Sequence, residues 1–275
     1  MIVCINGKFV NEKEAKISVF DHGLLYGDGV FDTIAAINGQ IFWLEEHINR
    51  LLDGCNQIYL KIPWSKKELI NLIEETIQKN NHNYGRIRIT ITRGEKDIPI
   101  YSSETCKPNL IIFSSQIDFL DKQEYEQGIK LQTTNTLRVF PQTKNLSFMP
   151  SVLAFLNAKK GGYDDALFVE ENGTVREGCT FNIFAIKNKK IKTPSQNVLP
   201  GVTALKVAEM ATNIGFPVSQ DILTLNELKK ADEVFITGTT KKIVPVVQID
   251  KTKIGDGGVG STTKELMNKF SEIYF

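Results

Sequence analysis

Two side chains in this sequence have the chemistry to work on a carbonyl compound. Lys144 lies in Gln142-Thr143-Lys144-Asn145-Leu146-Ser147, where an extended run ends, and Glu177 opens Glu177-Gly178-Cys179-Thr180-Phe181-Asn182-Ile183-Phe184. A lysine amine can hold a carbonyl cofactor as a Schiff base. A carboxylate can pair with the pyridinium nitrogen of pyridoxal phosphate (PLP), an electron sink. The pair alone identifies nothing, because the chain carries 33 Lys plus Arg and most such side chains are solvated surface. Two further places could meet an anion. Arg50 lies off the apolar stripe of its helix, as a surface arginine or an anion ligand would. Leu199-Pro200-Gly201-Val202-Thr203 opens a helix after a glycine turn, with Thr203 as a plausible N-cap, and free backbone N–H groups point outward at such a terminus. Most helix N-termini bind only water.

The elements that must hold these residues follow from periodicity. Asn6-Gly7 and Asn38-Gly39 each sit between short extended runs and predict hairpins, the second joining 30–37 to 40–43. Leu44, His47, Ile48, Leu51, Leu52 and Cys55 recur at helical spacing, and a second helix over 65–79 opens on Ser65 with Glu68 at capping-box distance. Three glycines within Gly23 to Gly29 predict an irregular loop, flanked by Tyr26 and Phe31, whose bland role is core packing. Gly85 to Gly94 alternates strictly, with isoleucines on one face and Arg86, Arg88, Thr90 and Thr92 on the other. A strand over 110–114 closes this half, and residues 118–127, polar and without period, read as a linker. Beyond it the chain predicts strands at 130–134, 166–170, 174–177, 182–186, 190–193, 233–237 and 243–249. Helices are expected at 149–160, 203–214, 225–230 and 261–270.

The chain of 275 residues suits two domains, expected at 1–117 and 128–275 with Lys144 in the second. A net charge of +1 gives no footprint for nucleic acid or an anionic membrane. Four widely spaced cysteines form no CxxC pair, so neither a disulfide framework nor a metal site is expected and a reducing compartment is the default. The N-terminus reads as a strand and turn, not a signal peptide, and no apolar run approaches a membrane span.

Several stretches together resemble the class IV (fold type IV) PLP-dependent aminotransferases, a group of branched-chain aminotransferases, D-amino-acid transaminases and aminodeoxychorismate lyases. They are Phe20-Asp21-His22-Gly23 with Tyr26-Gly27-Asp28-Gly29-Val30-Phe31, Glu46-His47-Ile48-Asn49-Arg50-Leu51, Lys144, Glu177-Gly178 with Asn182-Ile183-Phe184, Leu199-Pro200-Gly201-Val202-Thr203, and Ala231 to Thr239. Each is weak alone, but they run in family order over nearly the whole chain. The resemblance implies a mixed α/β (α+β) fold of two domains, the cofactor in the interdomain cleft, and a cytoplasmic homodimer. It implies that Lys144 is the Schiff-base lysine, that Glu177 pairs with the pyridine nitrogen, and that Arg50, Val202, Thr203 and Thr239 hold the phosphate, with Arg138 also at the cofactor. Lys144 would move the proton at the substrate α-carbon. Tyr26, Phe31, Arg86, Arg88, Thr240 and Lys241 would face the substrate, the basic ones as a carboxylate cluster; the alternative is that Arg88 pairs with a structural carboxylate such as Asp32 and that Lys241 is exposed.

The subfamily is ambiguous. Branched-chain enzymes usually keep Gly-Glu-Asn where this chain has Thr180-Phe181-Asn182, and a tyrosine where it has Met149. D-amino-acid enzymes share Thr92-Arg93-Gly94, but their Arg-x-His carboxylate trap would fall near Ile98 and Ile100. Ala204 replaces a frequent arginine, which puts one outer phosphate contact in doubt. The lyases usually lack the Gly238-Thr239 pair. The expectation is transamination between an amino acid and a 2-oxo acid such as 2-oxoglutarate or pyruvate. A D-amino acid is slightly favoured over a branched-chain L-amino acid, and aminodeoxychorismate lyase and a catalytically silent homologue remain as alternatives.

Overall fold

A computed structural model describes residues 1–95 and 107–274, so Ile98, Ile100 and Cys106 lie outside the described residues. Contacts divide the chain into two compact units, Met1–Asp118 with Thr143–Phe148, and Phe119–Gln142 with Met149–Phe275. The segment carrying Lys144 therefore packs with the first unit, although the sequence placed it in the second half.

In the first unit, β1 (Ile2–Ile5), β2 (Lys8–Asn11), β3 (Gly29–Ile37), β4 (Gln40–Ile41), β5 (Tyr84–Glu95) and β6 (Lys107–Gln116) form one antiparallel sheet in the order β2-β1-β6-β5-β3-β4. Asn6 and Asn38 have φ near +52° and +51°, and the glycines after them are also left-handed, as a tight two-residue hairpin requires. The helices α1 (His22–Tyr26), α2 (Leu44–Gln57) and α3 (Lys66–Asn80) belong to the same unit. The glycine-rich loop thus holds a short helix that composition did not signal. The Ser65–Glu68 capping box starts α3 as expected. The isoleucine face of β5 is the core face: Ile87, Ile89 and Ile91 are fully buried with Ile34, Ala36, Leu51 and Ile73.

Thr92, Arg93 and Gly94 are accounted for by packing. Thr92 Oγ1 donates to buried Asp21 at 2.7 Å, and Arg93 pairs with Asp28 at 2.6 Å while donating to the carbonyls of Ile58 and Tyr59. Gly94 has φ +86°, and a Cβ there would overlap the Lys107 carbonyl.

The second unit is built on one sheet in the order β12-β11-β10-β13-β14-β7-β8-β9, with β15 beside β14. Its strands are β7 (Ile129–Thr134), β8 (Asp165–Val169), β9 (Val175–Gly178), β10 (Asn182–Lys187), β11 (Lys190–Pro194), β12 (Val218–Asp221), β13 (Glu233–Gly238), β14 (Lys242–Ile249) and β15 (Thr252–Lys253). Its helices are α4 (Lys122–Gln127), α5 (Met149–Lys160), α6 (Val202–Asn213), α7 (Leu225–Lys229) and α8 (Ser261–Tyr274). Helix α4 lies in the segment expected as linker, where Asp121 and Glu124 form a capping box. Strand β12 was not anticipated because it is a polar sheet edge, Val-Ser-Gln-Asp, with no alternation to read. Leu131, Leu167, Ile183, Ile236 and Val244 form the centre of the core. No helix among the described residues is long and apolar enough to cross a membrane.

Candidate active site

Lys144 is held by backbone pairing in the first unit. The free edge of β3 is extended by an isolated bridge between Val30 and Asn145. Phe31 N–H donates to the Lys144 carbonyl at 2.9 Å and Leu146 N–H to the Gly29 carbonyl at 3.0 Å. This places the Lys144 ammonium 4.9 Å from the centroid of the Phe31 ring. The Arg88 guanidinium stacks on the same ring at 3.5 Å. Arg88 also donates to Thr90 Oγ1 at 3.2 Å, and no carboxylate among the described residues pairs with it. Burial, and then repulsion from Arg86, pulls its pKa down to about 10, still a cation at neutral pH. Arg86 itself is exposed, and Tyr26 is half exposed, edge-on to His22.

On the opposite face of β3, Asp32 is fully buried and organises Arg50. Arg50 donates from Nε to Asp32 Oδ2 at 2.9 Å and from Nη2 to Oδ1 at 2.7 Å, and His47 Nδ1 meets Oδ1 at 2.9 Å. Burial works against the Asp32 charge, but Arg50 and His47 more than offset it and hold the carboxyl well below its usual range. Burial keeps His47 below its ordinary value despite Asp32. Two of Arg50's donors are thus committed to fixing its fork, which presents a pre-oriented guanidinium. The sequence offered Asp32 as a structural partner for Arg88; the structure gives it to Arg50 and His47 instead, at an inward position that shares the alternation of Ile34 and Ala36 and demands a partner.

In the second unit, Glu177 on β9 is buried and accepts from Arg138 Nη1 at 2.6 Å and from Leu199 N–H at 3.0 Å. Arg138 was expected at the cofactor; in the structure its guanidinium meets Glu177. The N-cap of α6 is Gly201, not Thr203, and no side chain caps the helix. A Cβ on Gly201 would overlap the Asn182 side chain, which itself donates to the Leu199 carbonyl. Thr203, in the first turn, has a buried hydroxyl with no hydrogen-bond partner, as does Thr237 at the end of β13. Thr239 and Thr240 form the half-buried β13–β14 turn. Lys241, expected as a substrate cation, turns instead onto buried Asp165, with Nζ to Oδ2 at 2.6 Å. Asp165 gave no signal in the sequence, since its partner is 76 positions away.

Comparisons with known proteins agree with this organisation. A family model for amino-transferase class IV matches residues 29–249. A Methanocaldococcus jannaschii protein, named provisionally as a branched-chain-amino-acid aminotransferase, is 41% identical over 99% of this chain and 96% of its own length. The D-alanine aminotransferase of Staphylococcus epidermidis is 34% identical over 98% of this chain and 96% of its own. The branched-chain amino acid aminotransferase of T.th., solved with pyridoxamine 5'-phosphate, superimposes with a TM-score of 0.94 at 29% identity, covering 99% of this chain and 93% of that one. The residues present fit such a cofactor. An uncapped helix N-terminus beside the orphaned Thr203 hydroxyl suits a phosphate, and the buried Glu177 carboxylate suits a protonated ring nitrogen. The chain belongs to the class IV aminotransferases and is a PLP-dependent transaminase.

Proposed function

We propose that the chain moves the amino group of a branched-chain L-amino acid to a 2-oxo acid such as 2-oxoglutarate, with Arg88 meeting a substrate carboxylate. The carrying observation is Arg88 itself, a half-buried guanidinium with no carboxylate partner among the described residues, sharing the Phe31 ring with Lys144. A guanidinium in that state costs stability unless a ligand uses it. Bound PLP supplies the electron sink that withdraws charge from the substrate α-carbon. Lys144 moves the proton at that carbon. Glu177 keeps the cofactor's ring nitrogen protonated, while Arg50, Val202, Thr203 and Thr239 hold the phosphate.

The choice of branched-chain substrate rests on the 41% identity to the M. jannaschii protein. The leaning to a D-amino acid came from Thr92-Arg93-Gly94 and from the departures at Thr180-Phe181 and Met149; the first is committed to packing and weighs toward neither hand, while the other two count against an ordinary branched-chain enzyme. D-alanine remains the second reading, supported by the staphylococcal relatives. The test is a half-reaction screen of paired L- and D-amino acids with wild type and Arg88→Leu, beside an amine lacking the carboxylate. Arg88→Leu is expected to raise KM for the amino acid or for 2-oxoglutarate by about 10- to 100-fold, ~1.4–2.8 kcal/mol, and to spare the amine. Equal effects on amine and acid would sink the assignment. Conversion of D-alanine and not of leucine would replace the substrate.

The reading includes a cytoplasmic homodimer. Cys4, Cys55 and Cys179 are buried, unpaired thiols, which supports a reducing compartment. Helix α5 leaves Met149 65%, Leu153 52% and Leu156 48% exposed, a contiguous apolar face of the kind that copies of a chain cover. Light scattering is expected to give twice the chain mass for wild type and a lower mass for Leu153→Glu/Leu156→Glu. A monomeric wild type would end this part of the reading.

A further inference from the structure

The turn between β13 and β14 is tied down more heavily than a surface turn needs. Lys241 N–H closes it on the Gly238 carbonyl at 3.1 Å, and Tyr125 Oη donates to the Lys241 carbonyl at 3.1 Å. The Lys241 side chain runs inward past the Phe181 ring, 5.1 Å from its centroid, to Asp165 Oδ2 at 2.6 Å. The side chains are 19% and 4% exposed, so this is a largely buried ion pair. Asp165 begins β8, its Oδ1 accepts the Ala166 N–H at 2.8 Å, and the Cys179 thiol beside it is pushed up by burial and by the carboxylate. Lys241 is the one cation paired with Asp165 among the described residues. A buried carboxylate left without its cation is costly, so any shift of the turn that would break the pair is penalised. A turn whose only task is to reverse the chain is satisfied by its own backbone bond.

We propose that the Asp165–Lys241 ion pair is a positioning device: it fixes the Gly238–Lys241 turn, and through it the Thr239 and Thr240 groups that meet the cofactor phosphate and the substrate. This rests on the proposed roles of those two threonines. Lys241 touches neither ligand and acts only through the turn. A guanidinium reaching Asp165 serves as well as an ammonium, and an uncharged side chain does not.

The test compares Lys241→Met, Lys241→Arg and Asp165→Asn with wild type. It measures PLP binding to the apo-protein by fluorescence, KM and kcat for the amino acid, and thermal unfolding. Lys241→Met is expected to raise both the PLP dissociation constant and KM by about tenfold, with kcat within about twofold. Asp165→Asn should do the same, and Lys241→Arg should stay near wild type in all three. A pair that serves only stability would lower the unfolding temperature and leave both binding constants unchanged, which overturns the proposal. If Lys241→Met does not fold, Asp165→Asn decides by the same criteria; if neither folds, the pair is a stability element and the proposal fails. Wild-type protein that binds no PLP would overturn the cofactor roles along with it. Wild-type binding with unchanged constants in the folded variants overturns the positioning role alone.

Discussion

Replacing Lys144 with alanine is expected to abolish turnover and leave the fold in place. The segment is fixed through its backbone, by the Phe31 and Leu146 hydrogen bonds, and neither uses the amine. The stability change should therefore stay below about 1 kcal/mol, as for substitutions outside a packed core. If the amine moves the substrate proton as proposed, its loss should lower kcat by at least roughly 10²–10⁴-fold. Two measurements check this: steady-state rates, and borohydride trapping followed by mass spectrometry, in which wild type gains a phosphopyridoxyl group (the cofactor less one water plus two hydrogens) at residue 144 and the variant does not. A Lys144→Ala protein that transaminates at the wild-type rate would remove Lys144 from the chemistry.

Glu177→Gln is expected to keep PLP bound and slow the reaction. The amide still accepts the Leu199 N–H, so the local backbone is retained. The charge that faces Arg138 is lost, however, and an amide cannot hold a ring nitrogen protonated as a carboxylate does. A cost of about 1–3 kcal/mol in stability follows from weakening a buried charged hydrogen bond. In cofactor-saturated enzyme kcat should fall by about tenfold or more, each ~1.4 kcal/mol of lost transition-state stabilisation being a factor of ten. Single-turnover kinetics at saturating PLP separate the two effects. An unchanged single-turnover rate would mean that Glu177 serves Arg138 and the fold alone.

What the sequence revealed divides along the range of the interactions involved. The alternation of β5 and the Ser65 capping box are local, and both stand in the structure as their spacing implies. Lys144, Arg50 and Glu177 were singled out through ordered motifs, but their structural partners were not. Arg50 is held by Asp32 and Glu177 by Arg138, pairings set by tertiary contact. Asp32 was legible as a structural carboxylate, but its partner was not: Arg88 faces the other side of the sheet, and Arg50 comes from a helix. Lys241 could not: nothing local distinguishes an ammonium directed inward to Asp165 from one directed at a substrate, since either would start from the same glycine turn. Short elements escaped for a related reason. Helix α1 has five residues and strand β12 four polar ones, too few for any periodicity to emerge.

The pairing of Lys144 with the edge of β3 has a consequence for how the chain acquires its fold. Strand β4 covers only Ala36 and Ile37, leaving the start of β3 to be completed by residues 144–146. The first unit is thus discontinuous in the chain, since it needs Thr143–Phe148 although Phe119–Gln142 belongs elsewhere. Contacts of such high order are made late, after the loop-closure entropy has been met. During synthesis the sheet must wait, with the Phe31 amide and Gly29 carbonyl open to water, until the ribosome has released a stretch of the second unit. Lys144 is therefore among the last parts of its sheet to be fastened, and no intermediate built from the first 118 residues alone can carry it.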